Sequence, residues 1–359
     1  MRRWSFPIAV ACLGAAVLCS AGAEAACRVE SSVDAGQSRF TKRLSADCPP
    51  AEREAHAVSG AELIKAITRG WTVDLANVIV HGELSFDGVP VQTTQTPKGL
   101  TAEQQAALAQ LNAEELRVVP AAFIMRDSLV TGPLRHRSAK GTLQFEGAVD
   151  LQGTTFREGV DLSRSVFQAA VDLTGARFEK EAYFVQSQFT HGLRCRDAKF
   201  GPHTRFHRSA FRGPVDCAGA LFDGMAEFLE VGFEQPVTME RARFGSGSGF
   251  SGSRFSRHAN FSEAIFSRDA FFAFTVFEGD VTFGGAQFLG HADFSDAVFK
   301  RPDDLTKARF DQKPLLTRAA RVTDDRPTGL LSSPSAQYAV TLFFLLMAAL
   351  LVAYALKLK

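Results

Sequence analysis

Large apolar residues return along this chain at an interval of eleven. Counted from Phe123 to Phe310, the series has 18 positions, of which 17 are Phe and one is Leu134. Its members after Leu134 are Phe145, Phe156, Phe167, Phe178, Phe189, Phe200, Phe211, Phe222, Phe233, Phe244, Phe255, Phe266, Phe277, Phe288, Phe299 and Phe310. A second apolar series stands six residues after each member: Leu129, Leu151, Leu162, Leu173, Phe184, Cys195, Phe206, Cys217, Phe228, Met239, Phe250, Phe261, Phe272, Phe283, Phe294 and Leu305, broken only at Lys140. Two residues before nearly every member of both series comes a small or β-branched residue, as in Ala176-Arg177-Phe178 and Ala259-Asn260-Phe261. The unit is therefore two words of nearly five residues, one of which carries an extra residue.

A period of eleven also suits a right-handed helical coiled coil. At about 100° per residue, however, the large and small apolar positions of this unit would ring a helix instead of forming a stripe. Abundant Gly, Val, Thr and Phe point instead to short extended segments joined by tight turns, which is a β-solenoid.

Words such as Val160-Asp161-Leu162-Ser163-Arg164, Ala259-Asn260-Phe261-Ser262-Glu263 and Ala292-Asp293-Phe294-Ser295-Asp296 resemble the A(D/N)LXX unit of pentapeptide-repeat proteins. That resemblance implies an all-β solenoid, a right-handed quadrilateral β-helix whose central Leu or Phe and preceding small residue point inward, four words to a coil. The added residue in every second word departs from the family pattern and lengthens the expected coil to about 22 residues.

Charge spacing supports the same coil. Between Glu146 and Arg309, residues 22 apart are oppositely charged in nine cases and like-charged only at Asp150/Asp172 and Arg177/Lys199. The nine are Arg157/Glu179, Glu158/Lys180, Asp172/Arg194, Arg194/Asp216, Arg205/Glu227, Arg208/Glu230, Arg212/Glu234, Arg241/Glu263 and Glu278/Lys300. At a separation of eleven there are six opposite and nine like pairs, so spatial neighbours are expected 22 apart. Exposed ion pairs of this kind add little stability but can favour one stacking register; the buried Phe columns are expected to stabilise the rod by about 1.5 to 3 kcal/mol per side chain.

The flanks read differently. Residues 1–25 have the form of a secretory signal, with Arg2 and Arg3, an apolar run from Pro7 to Leu18, and Ala23-Glu24-Ala25 at the expected cleavage site. Removing it leaves Cys27, Cys48, Cys195 and Cys217. In an oxidising compartment Cys27 and Cys48 are expected to bridge within a leader at 26–58, whereas Cys195 and Cys217 are expected as reduced cysteines in one inward column. Ser59-Gly60-Ala61-Glu62 has capping-box spacing and predicts a short helix at 59–70. Trp71 to Phe86 reads as a first irregular coil. Residues 87–121 read as a projecting or end-covering insertion, with a helix from Thr101 through Leu116. Residues 59–121 together form the N-terminal capping region, and regular coils are expected over 122–311. A linker at 312–336, with one helical turn around Leu315 to Val322, leads to an apolar segment at 337–356 whose uncharged core, Ala339 to Leu356, is long enough to span a bilayer as a helix. Lys357 and Lys359 in the 357–359 tail place that tail in the cytoplasm and the solenoid outside. The expected location is the inner membrane of a bacterium, single-pass, with the solenoid periplasmic or exterior.

Candidate chemistry is sparse. No phosphate loop, nucleophile elbow or metalloprotease helix is present in the sequence, so no catalytic residue, metal or cofactor is expected. His203 and His207 are spaced for a metal only on a helix, and Phe206 marks their segment as coil wall. The recurring Asp150, Asp161, Asp172, Asp216 and Asp293 read as outward polar positions of the repeat. Arg194, Arg196, Lys199, Arg205, Arg208 and Arg212 form a basic coil opposed only by Asp197, and the next coil carries Asp216, Asp223, Glu227, Glu230 and Glu234 without Lys or Arg. These belts either neutralise each other or form an interaction surface for an envelope protein or glycan. The leading expectation is a non-enzymatic, membrane-tethered scaffold or protein-interaction module. A polysaccharide-binding or polysaccharide-acting β-helix is the alternative. The DNA-mimicking, gyrase-binding role known among pentapeptide-repeat proteins would need a strongly acidic cytoplasmic rod; residues 143–310 hold 19 Lys and Arg against 22 Asp and Glu, and an export signal precedes them.

Overall fold

Strands of two to six residues stack into four sheets of 11, 11, 9 and 11 strands, so the chain forms a four-faced β-solenoid. The computed structural model describes residues 27–93, 115–136 and 141–322. In the regular region each ladder is parallel and joins residues 22 apart. Val149 pairs with Val171 on face 1, Phe156 with Phe178 on face 2, Val160 with Ala182 on face 3, and Phe167 with Phe189 on face 4.

The two Phe series become columns. Along faces 2 and 4, rings in successive coils lie parallel with centroids between 4.5 and 5.2 Å apart, as in Phe266–Phe288 and Phe211–Phe233. A third column, Phe184–Phe206–Phe228–Phe250–Phe272–Phe294, stacks the same way behind face 3. The column behind face 1 runs Leu151, Leu173, Cys195, Cys217, Met239, Phe261 and Phe283, all buried. Phe145 to Phe299 are buried in register; Phe310, in the last coil, is only partly so.

Two kinds of corner explain the alternating word lengths. After each residue of the second series the chain makes a tight turn closed by an i to i+3 hydrogen bond, for example Ala176 N to Leu173 O at 2.9 Å. Its third residue has positive φ: Gly153, Arg164, Gly175, Gln186, Asp197, Arg208, Gly219, Glu230 and Arg241 recur every eleven residues. Five residues suffice for a word with that turn, whereas the opposite corner takes six. Side-chain caps hold the tight turns, as the carboxylates of Asp150, Asp161, Asp172, Asp216 and Asp293 each accept from the backbone N–H two residues on, at 2.8 to 3.2 Å. This is the Asx turn, and it gives the recurring aspartates a structural role.

The N-terminal end departs from the uniform register expected from Phe123. Phe123 pairs with Val149, Val130 with Phe156 and Leu134 with Val160, each 26 residues apart. Leu143 then pairs with Ser165, 22 apart, so four extra residues fall between Arg135 and Leu143. Val130, not Leu129, therefore holds the face-2 position in this coil, following Val58 and Val80, and Phe123 and Leu134 occupy positions held by Val149 and Val160 in the next coil. Lys140, which broke the second series, falls between Arg135 and Leu143 in sequence and lies outside the described residues.

Helix α1 (Pro50–Ala55) and helix α2 (Gly60–Thr68) precede the regular coils. Ser59 caps α2 through the Glu62 amide while the Glu62 side chain accepts from the Ser59 amide, and buried Leu63, Ala66 and Ile67 cover the start of the core. The helix stands where faces 3 and 4 would lie, so face 3 begins only at Leu84–Ser85. Ahead of it a hairpin, Val29–Asp34 with Arg39–Leu44, joins face 1 through the pairing of Arg39–Leu44 with Thr72–Ala76, so part of the leader belongs to the solenoid. A Cys27–Cys48 disulfide closes its base.

Within the region expected as an insertion, Val91–Thr93 and Glu115–Val119 form an antiparallel pair on face 4. Glu115 and Leu116, the end of the expected helix, are thus strand; its earlier residues lie outside those described. The C-terminal boundary also moves. Leu315 bridges to Asp293 on face 3 and Ala320–Arg321 pairs with Val298–Phe299 on face 4, so the segment expected as a linker with a helical turn adds another coil up to Arg321. The expected signal at 1–25 and the apolar segment at 337–356 lie outside the described residues. Among the described residues no helix is long and apolar enough to cross a membrane.

Candidate interaction surface

The six residues of the basic coil encircle the rod. Arg194 stands on face 1, Lys199 on face 2 and Arg205 on face 3, with Arg196, Arg208 and Arg212 on the connecting segments. Five are engaged by carboxylates: Arg194 with Asp172 at 3.2 Å, Arg196 with Asp216 at 2.8 Å, Arg205 with Glu227 at 2.9 Å, Arg208 with Glu230 at 2.7 Å and Arg212 with Glu234 at 3.8 Å. Four of these carboxylates lie in the acidic coil beyond, so the two belts largely neutralise each other. The hydrogen bond from Arg208 holds Glu230 below the usual carboxylate range. Glu278–Lys300 at 2.8 Å adds a fifth ion pair at the 22-residue spacing anticipated from charge. Asp216, by contrast, turns to Arg196 instead of Arg194, and Arg241 lies near Glu240 at 3.6 Å instead of near Glu263.

A notch of about 280 Å³ opens on face 1 between these belts, lined by His191, Gly192, Arg194, Pro214 and Asp216 among others. His203 is exposed on face 3, and among the described residues no group of His, Cys, Asp and Glu is arranged to hold a metal ion.

A family model described as Pentapeptide repeats (9 copies) matches residues 162–210 and 261–309. The regular coils carry pentapeptide repeats. Both matched segments lie in the regular coils, which include the basic coil. No curated protein and no solved structure matches the chain.

Three features of the pentapeptide-repeat rod escaped sequence reasoning. Cys195 and Cys217, expected reduced, form a disulfide between successive coils of one column, with Cα atoms 4.5 Å apart. Their spacing of 22 carried the signal for that contact, but not the oxidation state. His136 is a second case. Its side chain is buried with Nδ1 3.3 Å from Asp87 Oδ1, at the corner where the four extra residues enter. Burial pushes its imidazole below the ordinary value, outweighing the Gly141 carbonyl and the Asp87 carboxylate, which raise it. The neutral form is therefore favoured in the fold, and acidification through the unfolded imidazole range, near pH ~6.5, should destabilise the chain as the unfolded state takes up the proton. Urea melts at pH 7.5 and 5.5 should show that loss, and His136→Gln should remove its imidazole component; an unchanged pH dependence in the variant would rule His136 out as the source.

The third feature is apolar. Phe271 and Phe274 belong to neither eleven-residue series, since Phe272 is the inward residue of that word. They are 40% and 63% exposed. Extra aromatics outside the register were the available signal.

Proposed function

We propose that the chain is a non-enzymatic scaffold, exported and tethered to a bacterial inner membrane through 337–356, with its solenoid presenting the charged coils to an envelope protein or glycan. The observation that carries this reading is how the outward polar groups are used. Recurrent aspartates cap turns, and the densest charges are spent in pairs between coils, which gives a patterned wall in place of a convergent catalytic cleft. Pentapeptide-repeat solenoids are in general structural or interaction modules, and rods of stacked repeats suit extended contact.

Arg205 and Arg208 sit side by side at face 3 and the turn after it, and their ion pairs are exposed enough for a partner's anionic groups to compete for them. Crosslinking the chain in its native envelope should capture a partner, and Arg205→Glu with Arg208→Glu should abolish that capture while the circular-dichroism melt persists. Unchanged capture would remove the belt from the interaction.

A further inference from the structure

Face 3 differs from the other three. Its outward residues, from coil to coil, are Tyr183, Arg205, Glu227, Gly249, Phe271 and Asp293. Among the described residues from Val149 to Arg321, the exposed large hydrophobics are Met225, Phe271, Phe274, Leu289 and Leu315, and all five lie on this face or at its borders. Gly247 and Gly249 explain how the patch becomes flat. A Cβ on Gly249 would come 2.8 Å from Leu229 Cδ2, and one on Gly247 would come 3.2 Å from Met225 Sδ, so both long side chains lie down across the glycine strand. Phe274 occupies the left-handed turn position with φ 59°, where other coils place a glycine such as Gly175, Gly219 or Gly252, or a polar residue such as Gln186 or Arg208. A phenyl ring there is strained, and its exposure leaves that strain without an offset from burial.

We propose that face 3 joins two copies of this chain, with the rods antiparallel about a two-fold axis running along the Gly247–Gly249 strand. Such an interface is isologous and must complement itself. Coils equally far on either side of Gly247–Gly249 then meet: the coil of Met225 and Leu229 in one copy faces the coil of Phe271 and Phe274 in the other. One coil further out, Arg205 faces Asp293 and Arg208 faces Asp296. A parallel pair would set Arg205 against Arg205 and Asp293 against Asp293, and the charges disfavour it. Two rods joined this way carry their C-terminal ends at opposite ends of the pair, so a tethered pair lies along the membrane. The pairing stands on the face itself and does not depend on tethering, which is read separately by whether the wild-type chain stays with membranes after an alkaline wash.

The test uses the full chain purified in a mild detergent, with mass measured by light scattering. A particle of two chains is expected. Phe271→Ser with Phe274→Asn should give single chains without a loss of thermal midpoint, because Asn accepts the left-handed conformation. Arg205→Asp should weaken pairing about tenfold or more, and adding Asp293→Arg in the same chain should restore it, a rescue that only contact between copies produces. Ser251→Cys, on the axis, should crosslink to its counterpart on oxidation. A wild-type chain that stays single, whether its face 3 then holds a glycan or another protein, overturns the proposal, as does a pair indifferent to these substitutions.

Discussion

Phe206→Ala should lower the unfolding free energy by about 3 to 5 kcal/mol, among the most costly single truncations in this chain. Phe206 is 1% exposed and stacked between Phe184 and Phe228 at 5.0 and 5.1 Å, with Phe189 and Phe211 tilted against it at 6.3 and 5.8 Å. Removing the ring leaves a gap in a column whose coils above and below are pinned by parallel ladders, so collapse around it is limited. Solenoid coils touch only their neighbours, and the loss should therefore appear as weakened coupling between the two halves of the rod. Urea unfolding followed by far-ultraviolet circular dichroism, compared with wild type, measures it. A change below about 1 kcal/mol would contradict the inward placement, since a buried Phe truncation does not cost so little.

Removing the Cys195–Cys217 bridge with Cys195→Ala and Cys217→Ala should cost about 2 to 4 kcal/mol, the range typical of native disulfides. The bridge closes a sequence separation of 22, one full coil, and both cysteines are 1% exposed. Its contribution comes from restricting the unfolded chain, because the ladder already aligns these coils when folded. Cys27–Cys48 closes a separation of 21 at the N-terminal end, so a reductant acts on both bridges. The two Ala substitutions isolate the inner one. Thiol titration of the denatured, unreduced wild-type chain, together with the double variant's melt, decides the matter: free thiols at both positions with an unchanged melt would return these residues to the role of simple column fillers.

The 22-residue coil was legible because two unrelated signals agreed. Buried Phe recurred at half the period, and opposite charges recurred at the whole one, where Arg205–Glu227 and Arg208–Glu230 are indeed in contact. The four-residue slip before Leu143 was hidden because the earlier coil keeps apolar residues at Phe123 and Leu134, which fall on the count of eleven while sitting in the columns of Val149 and Val160. Apolar spacing reports that a residue is inward without saying which column it joins. The last coil was missed for the opposite reason. Beyond Phe310, Leu315, Ala320 and Arg321 carry its ladder without a further Phe, so the backbone continues the pattern where the side chains abandon it.

The candidate surface was legible in composition and not in arrangement. Arg194, Arg196, Lys199, Arg205, Arg208 and Arg212 share one coil, yet a coil wraps four faces, so a basic run in sequence becomes a ring in space. The apolar face 3 had no such run. Met225, Leu229, Phe271 and Phe274 are scattered over 50 residues and meet only once coils of 22 are stacked, and the glycines that flatten Met225 and Leu229 matter through the coil beneath.

Cysteine pairs placed on one face test the coil length most directly. Arg177 and Lys199 are partners on face 2, whereas Gln188, half a coil from Arg177, stands on face 4. Arg177→Cys with Lys199→Cys should crosslink rapidly within one chain on mild oxidation, and Arg177→Cys with Gln188→Cys should not. Bridging at a separation of 11, or none at 22, would contradict a four-faced rod that rises one coil per 22 residues.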